Sequence, residues 1–205
     1  MITVAVKSPT TATVEKFIIH KTFICHYAPS FSHIYPSTTS NGEPNIPEVE
    51  IEPYIFTGLV NWIYTQEIKD TETENSVVGI EFLVGLWVLA EKTLIPKLQN
   101  QVMQLLRTGK TGYCKDDGEL LKYAYQNSSK KSPLRRALVD IFIQDLGSVK
   151  EGEVVDYSVV PHEMFVDIME AIRKQSLLRK FVKSKEGDLL VGDDVQDAEV
   201  QRAEI

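Results

Sequence analysis

Apolar and polar positions change period partway along the chain, and that change predicts the architecture. Ile2 to Val6 alternates apolar with small or polar residues, many β-branched, which is the period-two pattern of a strand. Ser8-Pro9-Thr10-Thr11 interrupts it. Val14 to Ile24, with Phe17, Ile18, Ile19 and Phe23, reads as a second strand paired with the first in a loose hairpin. His26 to Tyr35 predicts a short helix punctuated by Pro29, and Pro36 to Pro47 is polar enough to be a loop. Glu48-Val49-Glu50-Ile51-Glu52 alternates strictly and predicts a third, short strand.

From Pro53 the spacing becomes helical. Proline suits a first helical turn because its missing N–H costs nothing there. Ile55, Phe56, Leu59, Val60 and Ile63 then form one stripe on a helix ending near Tyr64. Ile68 to Asn75 is acidic and loop-like. Val77 to Lys92 is apolar nearly all round, so its helix should be central, covered on several sides. Pro96 opens another helix with Leu98, Val102, Leu105 and Leu106 inward, and Gly109 and Gly112 mark a joint. Beyond it only helices are expected. One spans Glu119 to Gln126, and one is capped by Ser132-Pro133 and runs through Leu138 and Phe142 to Gly147. The last starts at Pro161 and runs toward Phe181. There is no internal repeat. The expected fold is α+β: a three-stranded sheet with surrounding helices over residues 1–108, then an all-helical extension over 109–182.

Composition adds little until the end of the chain. With 205 residues, 43% hydrophobic and 25% charged, the chain can bury a core without disulfides or metals. The formal charge is −7, which opposes general binding to a phosphate backbone, so no nucleic-acid partner is expected. From Lys183 to Ile205 seven acids face three bases, a net −4, and 183–205 is expected to be a disordered acidic tail. Two cysteines, Cys25 and Cys114, make no disulfide framework. No apolar run reaches the ~20 residues needed to span a bilayer, and no signal peptide is visible. An intracellular place, cytoplasm or nucleus, is expected, with no membrane partner.

The machinery of catalysis is not legible. There is no nucleophile elbow, phosphate-binding glycine loop, dinucleotide fingerprint or metalloprotease motif, so no enzyme activity and no cofactor are expected. His20, Cys25, His26 and His33 fall within fourteen residues. Their spacing fits no compact zinc finger, and we expect structural roles, with zinc or cysteine chemistry as the alternative. Lys130-Lys131 and Arg135-Arg136 form the one basic cluster, expected to be a solvated helix start rather than an import signal.

Several short segments, in order, resemble one family. Phe17-Ile18-Ile19-His20-Lys21-Thr22-Phe23-Ile24-Cys25, followed by Ala28-Pro29-Ser30-Phe31, is similar to the start of the BTB/POZ domain. The resemblance continues through Glu48 to Glu52, Trp62-Ile63-Tyr64-Thr65, Leu89-Ala90-Glu91-Lys92 and Ile95-Pro96-Lys97-Leu98. The His20-Lys21 pair, Trp62, Tyr64 and Ala90 carry it most clearly. Ser132 to Arg136 and Pro161 to Phe165 look like the helical tail of fungal BTB proteins, so the likeness covers about residues 2–175.

The resemblance implies a non-catalytic protein-interaction module, a scaffold that pairs with itself or with other proteins. The alternative is a substrate adaptor for a cullin-type ubiquitin ligase. Met1 stands where many relatives carry Asp, the segment that swaps between subunits in some relatives is absent, and Ala28 replaces the usual Ser. A swapped dimer and a charged central pocket are therefore not expected. Tyr27, Phe31, Ile34, Tyr35 and Tyr54, with the loop at 66–76, form the expected contact surface. The family reading makes His20 a core-edge residue, Lys21 a surface one, and Trp62 and Tyr64 packing residues.

Overall fold

The computed structural model describes residues 1–34, 46–69, 78–108, 118–147 and 157–188, with side chains described except at 32–34 and 177–188. Two compact units result, Met1–Pro161 and His162–Ile205.

The first unit begins with β1 (Ile2–Lys7) and β2 (Val14–Ile19), paired antiparallel from Ile2↔Ile19 to Lys7↔Val14. β3 (Glu48–Glu50) pairs parallel with β1 on its other edge, giving the order β2-β1-β3. Val4 and Val6 of β1 are fully buried, as alternation requires of an inward face. Ser8 ties the hairpin loop to the rest. It is 1% exposed, donates to Glu52 Oε2 at 2.9 Å, and accepts from the backbone N–H groups of Thr10 and Thr11.

The second strand is shorter than its sequence suggests. The chain leaves the sheet at His20 and enters α1 (Lys21–Tyr27), so Phe23, Ile24 and Cys25 are helical. The expected helix from His26 to Tyr35 is in fact the last turn of α1 followed by α2 (Pro29–Ile34), and Tyr35 lies outside the described residues. Two forces decide this. Ile24, Ala28 and Phe31, spaced by four and three, are all buried to 1% exposure or less, which a continuing strand could not achieve. Pro29 also pushes the preceding Ala28 out of helical geometry, to φ −120° and ψ 82°, and separates the two helices.

α3 (Pro53–Thr65) and α4 (Ile80–Lys92) follow, then α5 (Pro96–Arg107), α6 (Gly118–Gln126) and α7 (Pro133–Leu146). α4 is the centre: Ile80 and every residue from Phe82 to Ala90 are buried, and α3, α5 and α6 pack around it. Each fully buried Leu, Val or Phe contributes about 1.5–3 kcal/mol relative to exposure. Gly58 of α3 and Gly85 of α4 permit the close approach, because a Cβ at Gly58 would meet the Phe82 ring and one at Gly85 would meet Ile55. The sequence boundary at 108/109 thus falls between α5 and α6 of a single compact unit. A short 3-10 turn, Tyr157–Val159, precedes α8 (His162–Asp188) of the second unit. α8 runs past the boundary placed at 182. Residues 189–205, most of the expected acidic tail, are outside the described residues, as are Cys114 and the Gly109 and Gly112 joint. No helix among the described residues is long and apolar enough to cross a membrane.

Ser132 caps α7 as expected, its hydroxyl accepting from the Arg135 N–H at 3.2 Å. Arg135 is not part of a solvated basic face; it is 6% exposed. Its Nη2 donates to the carbonyls of Tyr125 at 2.6 Å and Ser128 at 2.7 Å, and its guanidinium lies 4.4 Å from the Tyr125 ring centroid. The last carbonyls of a helix have no partner within it. Here one planar cation serves the end of α6 and the turn after it. Arg135→Lys keeps the charge but loses the fork and the stacking. It should cost about 1–3 kcal/mol, seen as a lower urea midpoint at unchanged slope. An unchanged midpoint would mean that the guanidinium does not hold this joint.

Candidate protein-interaction surface

β2 delivers the chain to His20, the N-cap of α1, whose own backbone N–H needs an acceptor from outside the helix. Tyr64, near the end of α3, supplies the acceptor. Its hydroxyl accepts from the His20 N–H at 3.1 Å and lies 2.8 Å from His20 Nδ1. Phe23, one turn into α1, completes a ring cluster. Its centroid is 5.3 Å from Tyr64 and 6.0 Å from His20, and His20 is 5.9 Å from Tyr64. The cluster is wet: Phe23 is 44% exposed and Tyr64 42%. Ile18, on the strand that leads into it, is 66% exposed. His20 is therefore an exposed residue rather than a core-edge one, and Tyr64 is not buried under a helix.

The expected surface residues do not come together as one patch. Phe31 is 1% exposed and belongs to the core. Ile34 lies in α2 with its side chain outside the described residues, and Tyr35 is wholly outside them. Tyr27 is half-buried with its ring edge on Trp62, 5.6 Å between centroids. Trp62 is fully buried, and its indole N–H donates to Gln101. Tyr54, also half-buried, stacks on Phe82 at the other end of α3. Eight residues of helix, about 12 Å of rise, separate positions 54 and 62. Lys21 is exposed and Ala90 fully buried. Of the loop at 66–76, residues 66–69 are described. Phe23 was missed because its segment read as strand; the 24/28/31 spacing was the signal that would have placed it outward.

His20, Cys25 and His26 do not converge on one point. Among the described residues no group of three His, Cys, Asp or Glu side chains could hold a metal ion. The His33 side chain is outside the described residues.

A second feature is concave. A cavity of about 410 Å³ lies where the start of α3, one side of α4 from Glu81 to Lys92, and α6 meet. Tyr54 and Tyr123 line it, with carboxylates from Glu50, Glu52, Glu81 and Glu119. Burial first, and then the negative charge of Glu52, push the Tyr123 phenol above its ordinary value of 10.0.

A family model for the BTB/POZ domain matches residues 2–109, and the chain belongs to that family. BTB/POZ domains are in general protein–protein interaction modules. No curated protein matches the chain.

The Tyr123 shift has a consequence for stability. Its phenol titrates higher folded than unfolded, so the contribution is full below pH 10 or so and is lost as pH rises through the folded value. Tyr123→Phe should flatten the alkaline fall in stability. Glu52→Gln should bring the tyrosinate titration, followed by ultraviolet absorbance, part of the way back. A phenol titrating at its ordinary value would contradict the geometry.

Proposed function

We propose that the chain works as a self-associating interaction module, with the His20–Phe23–Tyr64 ring cluster at the centre of the contact. The observation that carries this reading is the exposure of two large rings already locked against each other. Their rotamer freedom is spent in the monomer, so association loses little further entropy there. Aromatic residues are enriched at the cores of interfaces, and buried aromatic anchors supply much of the binding energy. The family supports the same class of role. Self-association through this patch needs no exchanged N-terminal segment. Adaptor activity toward a cullin-type ligase is a narrower form of the same reading, in which a partner's surface replaces the second copy.

Light scattering on size-exclusion chromatography tests it. The wild-type chain should give about 46 kDa, twice its 23.2 kDa. Phe23→Asp should give the monomer mass with the melting temperature changed by less than about 3 °C. Wild-type protein that stays at the monomer mass at every concentration overturns self-association. Retention of purified cullin by that monomer would then favour the adaptor reading.

A further inference from the structure

We propose that the cavity between the start of α3, α4 and α6 is a receptor site for an arginine side chain presented by a basic segment of a partner protein. It rests on the chain being a binding module but uses another face. Tyr54 opens α3 and Tyr64 nearly closes it, ten residues or about 15 Å of rise apart.

The charge at the site is one-sided. Four carboxylates face one ammonium, that of Lys92, which donates to Asn127 Oδ1 at 3.1 Å at one end. Among the described residues no ion pair involves Glu50, Glu52 or Glu81. Glu119 is 3.8 Å from Lys122 with both side chains largely in solvent, a contact worth little. The four carboxylates stand around a hollow rather than bunched, and no three of them could hold a metal ion. An anion is repelled, and a cation long enough to reach inward is favoured.

Shape selects arginine. The volume, about 410 Å³, falls in the usual range of ligand cavities, roughly 300–1,000 Å³. Ile51, Ile55 and Leu120 give an apolar lining for a methylene stem. Tyr123 lines the cavity with an aromatic ring, and a planar guanidinium stacks on such a ring where an ammonium does not. The chain already makes that arrangement internally, with Arg135 over Tyr125 at 4.4 Å. Glu52 is also set in advance: Ser8 Oγ donates to its Oε2 at 2.9 Å and the Thr10 N–H to its Oε1 at 3.3 Å. A carboxylate oriented by neutral donors keeps its full charge for a ligand and needs no reordering on binding.

The test is an NMR titration of the full ¹⁵N-labelled chain with an acetylated, amidated Gly-Gly-Arg-Gly-Arg-Gly peptide. Its citrulline counterpart has the same shape without the charge. Amide shifts should fall on residues 50–55, 81–85 and 119–127, and the citrulline peptide should not shift them. A lysine peptide should bind several-fold more weakly. Glu50→Gln with Glu81→Gln, both exposed positions that leave the Glu52 network intact, should weaken binding about tenfold, the loss of one charge-assisted contact of about 1.4 kcal/mol. Shifts confined to other surfaces, equal binding of the citrulline or lysine peptide, or unchanged affinity in the double variant each overturn the proposal. Phe23→Asp should leave peptide affinity unchanged. The mass of the same samples reports separately on self-association, so the two readings fail independently.

Discussion

A helix buried on every side cannot be the surface of anything, and α4 imposes that constraint on the first unit. Ten of its thirteen residues are buried, including both faces of each turn from Phe82 to Ala90. A three-stranded sheet is too small to cover it, and α3 covers one side. α5 and α6 must take the rest, with α7 in turn packed on α5 and α6. α6 and α7, which follow the family-matched segment 2–109, are therefore part of the same compact unit as the sheet. Removing α6 would expose apolar surface of α4 to water at roughly 25 cal/mol per Å².

Because α4 fixes α3, α3 becomes a rigid rod with different chemistry at its two ends. At its N-terminal end, Glu52 is held by Ser8 and Thr10 beside Tyr54. At its C-terminal end, Gln66 takes a left-handed conformation, φ 61°, and closes the helix on the Trp62 carbonyl. Tyr64, one turn earlier in side-chain direction, reaches back to His20. The ring cluster is apolar and aromatic, the cavity acidic and concave. One helix thus carries an aromatic surface at one end and an acidic hollow at the other.

Much of this was legible in the sequence, for a physical reason. β1, β3 and α3 to α7 have strong local periods, with a first-turn proline in α3, α5 and α7, and the structure keeps them within a few residues. α4 was recognisable as central from its lack of a polar face. What failed was long-range. Thr22-Phe23-Ile24-Cys25 has strand-like residue types, yet packing of Ile24 with Ala28 and Phe31 overrides that propensity. Arg135 looked like a surface cation because its partners, the Tyr125 and Ser128 carbonyls, are backbone atoms that no residue type announces. Phe31 was chosen for the surface by its helix, whereas its burial depends on packing that only the fold defines. The cavity combines positions 50–54, 81–85 and 119–123, which no linear pattern joins.

The two edges of the sheet are unequal in the order in which they can form. β1 meets β2 across a short turn, Lys7 opposite Val14, a closure of seven residues that hairpins achieve in about 1–10 µs. β1 meets β3 with Ala5 opposite Glu48, 48 − 5 = 43 residues apart, through only three paired positions. Closing that larger loop costs more chain entropy and returns few hydrogen bonds. The parallel edge therefore gains less from closure than the hairpin does. Chain entropy thus favours the hairpin as the earlier event and the β3–α3 junction as the later one. The late junction carries Glu52, so the acidic cavity is assembled among the last parts of the molecule.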